Sequence, residues 1–108
     1  MDTSDKAQLN RLATAGNIAL DRYEKGEAGF HWLVSQLKAV VAMAEPIADA
    51  EWAAALRRAW GRLEITNAVM YSEERKVPTT EQQDVITTAI GTVRELLKSQ
   101  GVPGRSDD

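Results

Sequence analysis

The sequence predicts an all-α fold, a single-domain antiparallel four-helix bundle that occupies residues 1–100. Apolar residues recur at steps of three and four in four separate segments, which is the period of an amphipathic helix. No segment shows the strict alternation of apolar and polar residues that is expected of a half-buried strand. The segments are separated by short breaks at Gly26, before Pro46 and before Pro78. Short connections of this kind join antiparallel neighbours in helical bundles.

The first helix is predicted over residues 5–25 and the second over residues 28–44. Gly26 is suited to end the first helix, because glycine readily adopts the left-handed conformation that follows many helices. The second helix should end at Glu45, since a residue that precedes proline avoids the helical region. The inward positions of the two helices are Leu9, Leu12, Gly16, Ala19, Leu20 and Tyr23, then Phe30, Leu33, Leu37, Val40, Val41 and Ala44.

The third helix is predicted over residues 50–75, with Asp49 as its N-cap, and the fourth over residues 80–99. A capping box at Thr79 or Thr80 begins the fourth helix. Residues 101–108 are expected to form a flexible tail. The inward positions are Trp52, Leu56, Ala59, Trp60, Leu63, Asn67 and Met70 on the third helix, and Val85, Ile86, Ala89, Ile90, Val93, Leu96 and Leu97 on the fourth.

Three glycines, Gly16, Gly61 and Gly91, lie in the middle of three different predicted helices. Each costs about 1 kcal/mol relative to alanine at such a position. Either neighbouring helices or large side chains approach closely at these sites, or the glycines are tolerated without a structural reason. We keep both interpretations.

Composition excludes several classes of function. The chain has 16 acidic and 13 basic residues and a net charge of −3, so the basic excess typical of nucleic-acid-binding domains is missing. Its longest apolar run covers residues 39–44, far short of the ~20 residues that cross a bilayer. The N-terminus carries no signal-peptide pattern. We therefore expect no nucleic-acid partner, no membrane contact and a cytoplasmic location.

The residues needed for catalysis are scarce, and we predict no catalytic residues, no metal site and no cofactor. There is no cysteine, and His31 is the only histidine. A di-metal carboxylate bundle needs two Glu-x-x-His motifs, and this sequence contains none. Glycine-rich phosphate loops and Gly-x-Ser-x-Gly motifs are also missing. We interpret His31 as a structural, partly exposed residue near the start of a helix, and the protein as a non-enzyme.

Asn67 lies on the inward stripe of the third helix, between Leu63 and Met70. A buried amide without a partner costs roughly 1–3 kcal/mol. We therefore expect Asn67 to form a hydrogen bond with a neighbouring helix. The alternative is an amide that lines a groove at the end of the bundle.

A second feature of the third helix is a small set of apolar residues on its other side. Ile65 and Val69 point away from the inward stripe and lie beside Arg58 and Arg62. We favour burial of both residues in a wide apolar face of a central helix. The alternative is an exposed apolar patch with a charged rim, which is typical of a protein-binding surface. In that case Arg58, Arg62, Ile65 and Val69 form an interface patch.

Several short stretches resemble small all-helical bacterial immunity proteins, which neutralise toxins by binding them. The stretches are Tyr23-Glu24-Lys25-Gly26-Glu27, Leu33-Val34 with Leu37, Glu51-Trp52, Trp60-x-x-Leu63-Glu64-x-x-Asn67-Ala68 and Pro78-Thr79.

The resemblance implies that the protein occludes a toxin domain with a preformed helical face. The candidate contact residues are then Glu64, Tyr71, Glu73, Glu74 and Asp84, with the tyrosine as an anchor and the carboxylates facing a basic cleft of the toxin. Two other classes stay open: a structural or homo-oligomeric bundle, in which the Ile65–Val69 patch closes a dimer, and a small regulatory adaptor domain. The protein is thus expected to be a monomer or a homodimer.

Overall fold

The computed structural model describes residues 3–99, with side chains from Ser4 onward. It contains four helices and, within that stretch, no strand: α1 (Thr3–Glu24), α2 (Phe30–Ala44), α3 (Ala50–Ser72) and α4 (Thr80–Ser99). The predicted all-α four-helix bundle is confirmed. The predicted tail, residues 101–108, lies outside the described residues.

The predicted bounds of α4 agree with the structure, whereas those of the other helices differ by one to three residues at one or both ends. Gly26 ends α1 in the left-handed conformation, with φ of 76°. Its N–H bonds to the Tyr23 carbonyl at 3.0 Å, and the Glu27 N–H bonds to the Arg22 carbonyl at 2.8 Å. These two bonds form a Schellman motif, which ends the helix at the position that the glycine sets. α2 begins at Phe30 rather than at residue 28, because its N-cap Gly29 is extended.

α3 ends at Ser72 rather than at residue 75, and the cause is the backbone of Glu74. This residue has φ of 57° and is the only non-glycine residue with a positive φ in the described part of the chain. The Glu74 N–H bonds to the Tyr71 carbonyl at 3.0 Å, and the Arg75 N–H bonds to the Met70 carbonyl at 2.8 Å. α3 therefore ends in the same motif as α1, with a glutamate where glycine is favoured.

The helices run up and down in chain order and form a ring. Each packs against the next along the chain, and α1 also packs against α4; within residues 3–99 no Cα atoms of the diagonal helices lie within 8 Å of each other. The start of α3 meets the end of α4, where the Trp52 Nε1 donates to the Leu96 carbonyl at 2.8 Å. The middle of α3 meets α2, where the Trp60 Nε1 donates to the Val34 carbonyl at 3.0 Å. The largest fully buried side chains are Leu9, Leu20, Leu33, Leu37, Leu56, Leu63, Ile86, Leu97, Val41 and Val93.

Charged side chains connect the helices at the surface. Arg94 of α4 donates to Asn17 Oδ1 at 3.0 Å and to Asp21 Oδ1 at 2.8 Å, and it also binds Glu24. All three acceptors belong to α1, so this arginine closes the ring between the first and last helices. At the opposite end of the bundle, the Arg57 guanidinium makes a bidentate hydrogen bond to the Glu45 carboxylate. The distance from Arg57 Nη2 to Glu45 Oε1 is 2.7 Å.

Only one of the three mid-helix glycines marks a close approach. A Cβ atom added at Gly16 would lie 2.8 Å from Leu97 Cδ1, so α1 and α4 meet tightly there. At Gly61 and Gly91 an added Cβ would have no neighbour within 4 Å. The close-approach interpretation is therefore confirmed at Gly16 and wrong at the other two positions.

One predicted core assignment is wrong, and one buried residue is missing from the prediction. Val85 was placed inward, but 42% of it is exposed, because it lies on the outer edge of α4 beside α3. Thr66 is buried to 8% exposure, which the apolar pattern could not indicate. Its hydroxyl donates to the Arg62 carbonyl at 2.8 Å, so this polar group is satisfied within its own helix.

No helix in the described part of the chain combines the length and the hydrophobicity needed to cross a bilayer.

Candidate protein-binding surfaces

α3 lies between α2 and α4, so its two flanks border different helices, and the predicted contact residues are divided between them. Tyr71 lies on the α2 side, where it lines a cleft with Gly29, Phe30 and His31. Glu64 precedes Tyr71 by two helical turns and shares that flank. Glu73 lies on the α4 side, where it accepts a hydrogen bond from the Gln82 Nε2 at 3.2 Å.

The first candidate surface is the Tyr71 cleft, a hollow of about 380 Å³ between the start of α2 and the end of α3. Met70 is almost fully buried in it and Phe30 is half-buried, so the interior of the cleft is apolar. Tyr71 is 84% exposed, the largest exposed fraction among the large hydrophobic residues of the described chain. The residues that line the cleft are Gly29, Phe30, His31, Asn67, Met70, Tyr71, Arg75 and Lys76.

Asn67 and His31 join α3 to α2 at this cleft. The Asn67 Nδ2 lies 3.0 Å from the His31 Nδ1, and because an amide nitrogen can only donate, the imidazole nitrogen accepts this hydrogen bond. The expected hydrogen bond from Asn67 to a neighbouring helix is confirmed, although the amide is half-buried rather than buried. The alternative interpretation holds as well, because the same amide lines a groove at the end of the bundle.

The two carboxylates at the end of α3 have different environments. The Glu73 Oε1 accepts from the Arg75 Nε at 3.0 Å as well as from Gln82, so Glu73 holds the start of α4 against the end of α3. Glu74 is exposed, and its side chain makes no bond within residues 3–99. The rim of the Tyr71 cleft carries the cations Arg75 and Lys76. The charge next to Tyr71 is therefore mixed rather than purely acidic.

The second candidate surface is the α3–α4 face, formed by Arg58, Arg62, Ile65 and Val69 of α3 with Asp84, Val85 and Thr88 of α4. Ile65 is 65% exposed and Val69 is 41% exposed. The favoured interpretation, that both are buried in a wide apolar face of α3, is therefore wrong. The reason is that α3 packs on α2 and α4 with its inner half only, which leaves these residues on the outer side of the ring.

Asp84 belongs to this second surface, away from the other predicted contact residues. It lines a shallow cleft of about 320 Å³ with Arg62, Val85 and Thr88. This cleft joins α3 to α4 on the outside of the bundle. Asp84, which the resemblance groups with Tyr71, is thus a neighbour of the alternative interface patch.

A third hollow, of about 480 Å³, lies between the end of α1 and the start of α4 and is lined in part by Tyr23, Glu24, Gln83 and Thr87. Burial raises the pKa of the Tyr23 hydroxyl above 10.0, and the negative charge of Glu24 raises it further.

Within residues 3–99, no group of three histidine, aspartate or glutamate side chains is arranged to hold a metal ion.

Sequence reasoning missed several residues of these surfaces. Phe30, Arg75 and Lys76 of the Tyr71 cleft come from a helix start and a connecting segment, whose meeting point depends on the tertiary fold. The sequence could have indicated Val85 and Thr88 as surface residues, because they are three residues apart on α4, as Arg62 and Ile65 are on α3.

A scan of family models, a search of curated proteins and a search of solved structures each find no match to the chain.

Proposed function

We propose that the protein is a non-enzymatic protein-binding module of the cytoplasm, which neutralises a bacterial toxin by covering part of the toxin domain with the Tyr71 cleft. The observation that carries this proposal is the position of Tyr71, which is 84% exposed at the mouth of an apolar cleft. The resemblance to immunity proteins supplies the toxin as the class of partner.

An exposed tyrosine beside a cleft supports protein binding for energetic reasons. Tyrosine offers a large apolar area with few rotatable bonds, and its hydroxyl can keep a hydrogen bond when the ring is buried. The partner can also fill the space above Phe30, whose ring is only half-buried beside the almost fully buried Met70. A central aromatic anchor next to an apolar hollow is a common arrangement for binding hot spots.

The polar groups around the cleft favour a defined orientation of the partner. Asn67 keeps one amide hydrogen beyond its bond to His31, and Lys76 makes no hydrogen bond or ion pair in the described part of the chain. Charged and polar groups at an interface rim mainly set specificity and association rate. Glu64 lies on the same flank of α3 and extends this polar surface away from the end of the bundle.

The cleft is held by two helices that are fixed to each other, which supports occlusion by a rigid surface. The Trp60–Val34 and Asn67–His31 hydrogen bonds connect α2 and α3 at two levels. A surface that is ordered before binding loses less conformational entropy in the complex. A preformed face of this kind can block a toxin without any chemical step.

We expect the reading frame next to this gene to encode a toxin domain, and the test uses that domain. Co-expression of the wild-type protein should restore growth of cells that produce the toxin, and calorimetry should detect a complex. Tyr71→Ala should weaken the complex by about 30-fold, since a hot-spot truncation costs roughly 2 kcal/mol. Met43→Ala is the matched control, because Met43 is 52% exposed at the opposite end of α2. No complex, or equal effects of the two variants, would contradict the proposal.

A further inference from the structure

The outer side of α3 and α4 carries two parallel rows of side chains with the same spacing. On α3 the row is Arg58, Arg62, Ile65 and Val69, and on α4 it is Glu81, Val85, Thr88 and Thr92. Residues at steps of four, three and four lie along one side of a helix. The two rows border the shallow cleft that Arg62 shares with Asp84, Val85 and Thr88. They therefore present a ridged face of the kind that packs against other helices.

Exposed aliphatic side chains are concentrated on this face. Ile65, Val69 and Val85 are 65%, 41% and 42% exposed. The other large exposed hydrophobic residues of the described chain lie on other helices, at the Tyr71 cleft or in a connection: Ile18, Met43, Tyr71 and Val77. Burial of the three aliphatic side chains would contribute a favourable free energy that the isolated chain does not obtain.

The charged residues of the face have no partners among residues 3–99. Within that stretch Arg58 and Arg62 make no hydrogen bond or ion pair, whereas each of the other arginines has one. Those arginines are Arg11, Arg22, Arg57, Arg75 and Arg94. Asp84 and Glu81 of α4 likewise make no ion pair with any described residue. The face thus has cations on one helix and carboxylates on the other, and both are available to another molecule.

We infer that the α3–α4 face binds the same face of a second copy of this chain. A two-fold axis that runs along the groove places α3 of one copy over α4 of the other. Arg62, Asp84 and Val85 border one cleft, so they lie at one level of the bundle. The axis therefore brings Arg62 of each copy towards the carboxylate of Asp84 in the other, and the contact also covers Ile65, Val69 and Val85 of both copies.

The size of the face fits a weak dimer. α3 and α4 have 23 and 20 residues. They therefore extend over roughly 30 Å, and two adjacent helices cover a width of about 20 Å. The resulting area of roughly 600 Å² per copy is somewhat below the ~800 Å² of a standard interface. The dimer uses the flank of α3 opposite to the Tyr71 cleft, so self-association leaves that cleft open in both copies.

The test is sedimentation of the protein over a range of concentrations from micromolar to millimolar. The average mass of the wild-type protein should rise from 11.9 kDa towards twice this value. Ile65→Ser should weaken the dimer at least tenfold, whereas Ile18→Ser, a matched change of a 54% exposed isoleucine on α1, should leave it intact. Circular dichroism of both variants checks that they are folded.

A charge exchange tests the pairing within the dimer. Arg62→Asp and Asp84→Arg should each weaken the dimer, because each places like charges opposite one another, and the double variant should restore it. A wild-type protein that stays monomeric at every concentration would overturn the inference. A dimer that survives Ile65→Ser, or a double variant that does not recover, would overturn it too.

Discussion

Alanine substitutions at Gly16, Gly61 and Gly91 should have opposite effects on stability, although the sequence places all three glycines in the middle of helices. Replacing glycine with alanine in a helix interior contributes about 1 kcal/mol to the free energy of unfolding. At Gly61 and Gly91 the new methyl group has no neighbour within 4 Å, so this gain should appear in full. Each variant should then melt roughly 4–8 °C higher than the wild type.

At Gly16 the new Cβ would lie 2.8 Å from Leu97 Cδ1. Leu97 is only 2% exposed and has little room to move, so the leucine or the backbone of α4 must shift. Overpacking of this kind costs about 1–3 kcal/mol, which cancels or exceeds the propensity gain. We expect Gly16→Ala to change the free energy of unfolding by between about 0 and −2 kcal/mol.

The assay is urea denaturation followed by far-UV circular dichroism, with the three variants and the wild type measured side by side. The Gly61 and Gly91 variants serve as internal controls for helix propensity. If Gly16→Ala is stabilised as much as the other two, the close contact between α1 and α4 is refuted. If none of the three is stabilised, the propensity argument fails.

Two further predictions concern a helix end and a surface ion pair. Glu74→Gly should raise the free energy of unfolding by about 0.5–1 kcal/mol in urea denaturation, because glycine removes the steric cost of the left-handed conformation of residue 74. The control is Glu73→Gly, which should give no such gain because Glu73 has a φ of −86°. The hydrogen bond from Arg57 lowers the pKa of Glu45 below 4.5, so the pair stabilises the folded state above that pH and loses its effect as the pH falls through the folded-state pKa. The stability difference between the wild type and Glu45→Gln should therefore be largest near neutral pH and disappear in acid, and a pH-independent difference would contradict this assignment.

The sequence predicted the fold well because apolar periodicity alone specifies helices in a chain of this length. Most inward positions of α1, α2 and α4 are buried as expected, whereas Tyr23, Phe30 and Leu96 are half-buried. The errors have physical causes. α3 ends early because Glu74 adopts the left-handed conformation, which is usual for glycine and which the sequence does not indicate here. Ile65 and Val69 are exposed because the neighbouring helices cover only the inner half of α3.

The candidate site could be predicted only in part. Asn67 stands out in the sequence as an inward amide, and Tyr71 is a contact residue that the resemblance to immunity proteins implies. Their association with Phe30, Arg75 and Lys76 required the tertiary fold, since these residues come from a different helix or a connection. The separation of Asp84 from Tyr71 by the width of α3 could not be inferred from proximity in sequence.

Chemical-shift mapping of the isotope-labelled protein with the neighbouring toxin domain tests the central claim most directly. We expect the largest amide shift changes around the Tyr71 cleft, in residues 29–32 and 67–76, and we expect Tyr71→Ala to reduce them. Little change should occur in the first half of α1, which lies at the opposite end of the bundle. Shift changes confined to α1, or none at saturating toxin, would contradict the proposed binding surface.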